Sequence, residues 1–344
     1  MGDGTPRDSK RDSDVAPASG GQGKLTLPVT VRFPGVASSL PPAPAEDDAD
    51  LRDTEKALSV MSALVDRNRA SLTLLSGPDA GKVFPLGGET LIGRDFDAQI
   101  RVDDPSLSRA HARIVRLPSG RFSLQDLGST NGTFIGPDRV ERRELLSGDR
   151  IQLGPKLSLR FAITDEAEEM LQRQLFESST RDHLTRIYNR RYLMTRLAAE
   201  VAHARRHATA LALLLFDVDR FKETNDRHGH LVGDAVLRAL GDRVSTLIRV
   251  EDVFARFGGE EFVVLIRASG PLDAVRLAER LRASIEAMTV RAEGVEVGVT
   301  ISIGVGSLGE LAAEAGEGQE LLRLADARLF RAKNEGRNRV CSSD

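Results

Sequence analysis

From residue 71 to about 164 the chain alternates short apolar and polar runs, LTLLS, VFPL, TLIG, ARIVRL, RFSLQDL, TFIG and KLSLRFAI, broken at turn-like intervals by Gly, Pro, Asp and Ser. A period of two with such punctuation predicts many short strands packed as an all-β sandwich. Beyond it the period lengthens. Residues 165–180 place Ala167, Met170, Leu171 and Leu175 on one helical face behind a cluster of acids. This predicts a connector helix, either packed on its own domain or paired in a coiled-coil seam. From residue 181, strand-like runs near 211–218, 253–257, 262–267, 298–305 and 339–341 alternate with helical ones near 189–205, 232–248, 272–288 and 318–334. That is an α/β pattern with one antiparallel hairpin centred on residues 257–262.

The first 50 residues read differently, with 7 of the chain's 14 prolines among many Gly, Ser and Asp. So little apolar surface cannot offset the entropy of ordering, and a flexible tail is expected. Within it Lys24 to Phe33 alternates like a strand, which Pro28 would confine to an edge. Residues 51–69 space their apolar positions as a short amphipathic helix. The expected divisions are a tail at 1–50, this helix at 51–69, the sandwich at 70–164, the connector at 165–180 and the α/β domain at 181–344.

Composition narrows the classes. At 344 residues, 40% hydrophobic and 29% charged, two soluble domains are expected. The longest clean apolar run, Ala210 to Phe216, is far short of the ~20 residues of a membrane-crossing helix, so no membrane span is expected. The charged amino terminus lacks a secretory core, and Pro6 occupies the position where a myristoylation signal has Ser or Thr. Cys341, the single cysteine, has no intramolecular partner, which suits a cytoplasmic location. A net charge of −3 and 4% aromatics give no reason to expect nucleic acid as a partner.

The candidate chemistry begins where the apolar run LALLLF ends in Asp217-Val218-Asp219. Strand ends are where α/β sheets bind ligands. A second acidic pair, Glu260-Glu261, follows the Gly258-Gly259 turn. Carboxylates on two converging elements suit Mg²⁺, with Mn²⁺ as an alternative, because such an ion completes its shell with water and substrate phosphate. Lys222, Lys333 and Arg337 offer counter-charges for a polyphosphate. The plainer alternative is that Asp217 and Asp219 cap the next helix and Glu260 decorates an exposed turn.

Taken together, residues 181–344 resemble the GGDEF-domain family of diguanylate cyclases. The likeness rests on Asp182-His-Leu-Thr-Arg-Ile-Tyr-Asn-Arg-Arg-Tyr192, Phe216-Asp-Val-Asp-Arg-Phe-Lys-Glu-Thr-Asn225 and Gly229-His-Leu-Val-Gly-Asp234. It continues through Gly258-Gly-Glu-Glu-Phe262, Ile301-Ser-Ile-Gly-Val305, Ala325-Asp326, Ala332-Lys333 and Gly336-Arg-Asn-Arg-Val340. The resemblance implies a palm-like domain with a central, mostly antiparallel sheet. It implies metal ligation by Asp217, Glu260 and the Val218 carbonyl, with Glu260 as the catalytic base for a ribose 3′-hydroxyl. It implies guanine contacts from Asn225 and Asp234, phosphate contacts from Lys222, Lys333 and Arg337, and the Gly258–Gly259 backbone beneath the nucleotide. An acid at 234 suits the N1 and N2 donors of guanine, so GTP is the expected substrate and mixed or mononucleotide products are disfavoured. His230 is expected to be structural. Family departures are confined to Ile187 and Phe330, and neither is an implied ligand. The implied reaction joins two GTP into cyclic di-GMP across a homodimer, with loss of two pyrophosphates.

Nine residues before the signature, Arg249-Val-Glu-Asp252 is similar to the family's RxxD product-inhibition site, with Arg280 on the next helix as a secondary contact. A surface salt bridge is the plainer reading of that motif.

Residues 71–164 resemble a forkhead-associated (FHA) domain through Leu91-Ile-Gly-Arg94, Leu107-Ser-Arg-Ala-His111 and Asp126-Leu-Gly-Ser-Thr-Asn-Gly-Thr133. By that resemblance Arg94 and Ser108 bind phosphate, Arg109 flanks it, and Asn131, with Thr130 nearby, contacts the backbone of a phosphothreonine peptide. His111 and Gly132 are expected to be architectural. A scaffold that binds no phosphopeptide is the alternative. Thr5, with Asp8 at its +3 position, Thr26 and Thr30 are candidate ligands within the tail. The combined reading is a cyclase gated by phosphopeptide and inhibited by cyclic di-GMP. The alternative is a non-enzymatic scaffold that binds GTP or cyclic di-GMP.

Overall fold

The computed structural model describes residues 68–343 apart from 96, 103, 314 and 315. The expected tail, its strand-like stretch, Thr5, Thr26, Thr30 and nearly all of the expected helix at 51–69 lie outside the described residues. Two sheets form the first domain. One has the order β2 (Val83–Pro85), β1 (Asn68–Leu74), β11 (Leu157–Asp165), β10 (Arg150–Leu153), β7 (Thr133–Ile135), β8 (Asp138–Arg139). The other has the order β4 (Ile100–Arg101), β3 (Glu89–Gly93), β5 (Ala112–Arg116), β6 (Phe122–Asp126), β9 (Arg142–Leu145). Alternate residues point inward, so Leu72, Ile151, Leu159 and Phe161 of one sheet meet Ile92, Ile114 and Leu124 of the other in a dry core. Each such side chain contributes roughly 1.5–3 kcal/mol by leaving water.

Helix α1 (Glu166–Thr180) starts at Asp165, whose carboxylate accepts the Glu168 N–H at 2.8 Å. It packs on its own sandwich, with Phe176 against Gly81, and its least exposed residues are Glu169, Gln172, Phe176 and Thr180. The face expected to be apolar looks outward: Met170, Leu171 and Leu175 are 62%, 54% and 60% exposed.

The second domain is built on a sheet of order β12 (Tyr188–Asn189), β14 (Val253–Gly258), β15 (Glu261–Arg267), β13 (Leu211–Val218), β18 (Ile301–Ser307), β19 (Val340–Cys341). The inner pairs are antiparallel and the two outermost pairs parallel. All eight residues of β13 are buried, because helices cover both faces. Even-numbered residues such as Phe216 join Phe254 and Phe262 beneath α4 (His230–Ser245) and α5 (Pro271–Glu286). Odd-numbered Leu213 and Leu215 face α2 (Arg190–His207) and α6 (Glu317–Asn334). Helix α6 lies flush on β18: a Cβ on Gly304 would stand 2.0 Å from the Ala325 carbonyl oxygen.

Several short elements were not expected from the sequence. Helix α3 (Phe221–His228) buries only Phe221, so it has no apolar period to read. The hairpin β16 (Thr289–Ala292) and β17 (Val295–Gly298) turns at Glu293 and Gly294, both at positive φ, and it pushes the start of the next strand from the expected 298 to Ile301. The domains touch where Asp79, in the β1–β2 loop, accepts hydrogen bonds from the Tyr192 hydroxyl and, at 3.3 Å, from Arg196 Nη1. Arg196 is also paired with Glu200 at 2.9 Å, and Glu200 with Arg267 at 2.8 Å. Among the described residues no helix is long and apolar enough to cross a membrane.

Candidate functional site

Strand parity places Asp217 on the α6 side of the sheet, at the mouth of β13. There Lys333 Nζ donates to its Oδ2 at 3.0 Å. Across the ladder Asp217 stands opposite Glu261, and the Val218 N–H reaches the Glu260 carbonyl at 3.4 Å. Burial pushes the Asp217 carboxyl up to about 6; the Lys333 ammonium pulls it back, and the charges of Glu260 and Glu261 push it further up. The acidic turn is irregular: the register slips between Arg256 and Gly258, and Gly259 has φ +50°. A side chain there would be strained, so glycine lets the turn present Glu260 beside the strand mouth.

Arg256, which the sequence reading did not single out, braces this turn. Its Nε donates to the Gly259 carbonyl at 2.8 Å and its Nη1 to Asp182 at 3.1 Å. Its position two residues before the signature was the available signal. The Arg190 guanidinium covers the Phe257 ring at 4.4 Å. Neither acid of Asp217-Val218-Asp219 caps α3, whose N-cap is Arg220 with no side-chain bond. Asp219 instead accepts from Thr300, Ser302 and the Asn338 N–H.

The remaining expected ligands lie on α3, on α4 and in the segment after α6. Lys222 is exposed on α3, and Asn225 at the end of that helix has a buried Oδ1 without a partner. Asp234, on adjacent α4, is 4.0 Å from Arg238. Arg337 lines a cavity of about 550 Å³ whose walls include Asp219 and Arg220 but neither Asp217 nor Glu260. His230 is exposed. On the far edge, Arg249 is exposed while Asp252 is buried, its two oxygens accepting the main-chain N–H groups of Arg249 and Arg267 at 3.0 and 3.3 Å. Burial raises the Asp252 carboxyl above its ordinary range. Arg280 Nη2 donates to the Leu247 carbonyl at 2.7 Å, beside the same turn.

In the sandwich, Arg94, Ser108, Arg109, Thr130 and Asn131 line one cavity of about 630 Å³. The loops are tied together at their backbones: the Arg94 N–H donates to the Ser108 carbonyl and the Asp95 N–H to the Arg109 carbonyl, each at 3.1 Å. The Thr130 N–H donates to Ser108 Oγ at 3.1 Å, and Asn131 Nδ2 to the Ser106 carbonyl at 2.7 Å. Ser106 is in turn fixed by Asp104, which takes both its N–H and its hydroxyl. These two braces carry no motif and were missed in the sequence.

A palm-like α/β domain with an acidic strand mouth therefore follows a two-sheet sandwich with a cationic cavity between its loops. Residues 179–339 match the family described as diguanylate cyclase, GGDEF domain, and residues 90–154 match the FHA domain family. This protein thus joins an FHA domain to a GGDEF domain. Over 176 residues it is 37% identical to diguanylate cyclase DosC of Escherichia coli, covering 49% of this chain and 37% of DosC. Over 169 residues it is 40% identical to response regulator PleD of Caulobacter vibrioides, covering 48% of this chain and 36% of PleD. The crystal structure of diguanylate cyclase SiaD with its activator SiaC from Pseudomonas aeruginosa is similar at 35% identity and a TM-score of 0.47, over 52% of this chain and 67% of that one. The chain spans little more than a third of the length of DosC and PleD.

Proposed function

We propose that this protein is a diguanylate cyclase, condensing two GTP into cyclic di-GMP and two pyrophosphates across a pair of GGDEF domains. The carrying observation is the buried Asp217 at the mouth of β13, ion-paired to Lys333 and within the field of the Glu260 turn. The donors fit a hard divalent cation: two carboxylates and a main-chain carbonyl are all oxygen, and the repulsion among the acids is what such an ion relieves. Asp217, Glu260 and the Val218 carbonyl would hold Mg²⁺, which when bound withdraws charge from the phosphate oxygens.

Glu260 accepts the proton of a ribose 3′-hydroxyl as that oxygen bonds to the α-phosphorus of the GTP held by the facing chain, and the bond from that phosphorus to the departing pyrophosphate breaks. Lys222, Lys333 and Arg337 offset the triphosphate charge, and Asn225 and Asp234 read guanine. A phosphothreonine peptide, for which Thr5, Thr26 and Thr30 are candidates, docks on Arg94 and Ser108 of the FHA domain with Arg109, Thr130 and Asn131 around it. Cyclic di-GMP inhibits at Arg249 and Arg280, on the turn that Asp252 holds.

Purified protein with GTP and Mg²⁺ should release cyclic di-GMP. Glu260→Gln should lower turnover about a hundredfold or more, and Arg94→Ala should abolish the response to a phosphothreonine peptide. Absence of dinucleotide both with and without the peptide would overturn the cyclase reading.

A further inference from the structure

The segment that follows α6 holds an uncommon conformation. Gly336, Arg337 and Asn338 have φ of +123°, +65° and +45° in succession. Two consecutive non-glycine residues in the left-handed region persist only where the surroundings over-determine them. The surroundings do so at Asn338. Its N–H donates to Asp219 Oδ2 at 3.0 Å, its Oδ1 accepts from Arg282 at 2.9 Å, and its Nδ2 donates to Glu286 at 2.6 Å. Asp219 is itself locked: Thr300 Oγ1 donates to Oδ2 at 2.7 Å, Ser302 Oγ to Oδ1 at 2.6 Å, and its own N–H donates to the Thr300 carbonyl at 2.9 Å. Arg337, between this anchor and the end of α6, has no hydrogen-bonding or ionic partner for its guanidinium among the described residues, and it lines the 550 Å³ cavity together with Asp219.

We propose that Asp219 is a positioning residue: by gripping Asn338 it fixes the bend that aims the unpaired Arg337 guanidinium at the terminal phosphates of bound GTP. This rests on the cyclase reading above. Asp219 is engaged by hydroxyl and amide donors on both oxygens, so it serves the site through the backbone and not as a ligand. Its separation from Asp217 by a single residue couples the acidic mouth and the guanidinium through one short stretch of chain.

The full-length protein is tested by KM and kcat for GTP with Mg²⁺, and by calorimetric affinity for a non-reacting α,β-methylene GTP. Asp219→Ala and Arg337→Ala should each raise KM and weaken analogue binding about tenfold with kcat changed less than threefold. The double variant should be no worse than Arg337→Ala alone, because an aim without a guanidinium has nothing to lose. Asp219→Asn should retain nearly wild-type KM: an amide oxygen in the place of Oδ2 still accepts the Asn338 N–H and the Thr300 hydroxyl, and the Ser302 hydroxyl can turn to accept from the amino group. If Asp219→Ala fails to fold, the paired Thr300→Val and Ser302→Ala changes, which remove the hydroxyls that lock Asp219, take its place, with a rise in KM that again vanishes in the Arg337→Ala background. Multiplying effects, or an Asp219→Asn that loses kcat as a metal ligand would, overturn the proposal. A wild-type protein that binds the analogue without turning over GTP sinks the cyclase reading and leaves this one to be decided by affinities; a wild-type protein that binds nothing sinks both.

Discussion

His111 is fully buried and joins two loops of the FHA cavity. Its Nδ1 accepts the Ser108 N–H at 3.3 Å, so the proton sits on Nε2, which donates to the Gly132 carbonyl at 3.1 Å. Burial holds its pKa below 6.5, against the opposing pull of the Gly132 carbonyl and the Asp126 charge. The unfolded chain therefore takes up a proton before the folded one does. Stability is complete above about pH 6.5 and falls as pH drops below it, toward the depressed native value. Calorimetric scans at pH 7.5, 6.5 and 5.5 should show the FHA transition falling only over the lower interval. His111→Gln should flatten that slope at a cost of ~1–3 kcal/mol at neutral pH. Residues proposed to face a ligand, such as Arg94 and Asp217, stood out in the sequence because ligand chemistry restricts residue type and spacing. Asp104, Ser106 and Arg256 were not: a brace is defined by what it touches, and its partners are brought to it only by folding.

At the scale of elements, the β14–β15 turn depends on Arg256, which is largely buried between the Gly259 carbonyl and Asp182. Asp182 belongs to the entrance of the domain, where it also takes the Thr185 N–H and hydroxyl, so one guanidinium ties the entrance to the acidic turn. Hydrogen bonding and this charge hold the Asp182 carboxyl below its usual range despite burial. Arg256→Ala should lower stability by ~2–3 kcal/mol, seen in urea titration, and should lower turnover more than it lowers GTP affinity, because it loosens the turn carrying Glu260. The long elements were readable: β13 and the helices expected beyond residue 164 appear within a few residues of their predicted bounds, since a buried apolar run or a helical stripe is a strong signal. Helix α3 and the β16–β17 hairpin were not, being short and mostly solvated. In α1 the periodicity was real but its direction was not legible: the helix turns Phe176 and Glu169 to the sandwich and leaves its more apolar stripe outside.

Across the whole molecule, the two domains are joined by more than the connector. Asp79 takes hydrogen bonds from both Tyr192 and Arg196, and Phe176 packs at the same loop, with its Cδ2 3.3 Å from where a Cβ on Gly81 would lie. Asp79→Ala leaves a buried phenol and part of a guanidinium without their acceptor, a loss of ~1–3 kcal/mol at the interface. Hydrogen exchange should speed up in residues 76–82 and the first turns of α2 together, with strands β13 and β15 unchanged. None of this contact was legible, because Asp79 lies outside every motif and more than a hundred residues from Tyr192. The polar series continues from Asp79 through Arg196 and Glu200 to Arg267, whose main-chain N–H ends on Asp252. It skirts the sheet's edge and includes none of Asp217, Glu260 or Lys333. Under the proposed function, a polar series that ends on the turn bearing Arg249 and leaves out the strand mouth would let a shift of the sandwich reach the throttle by a route separate from the chemistry.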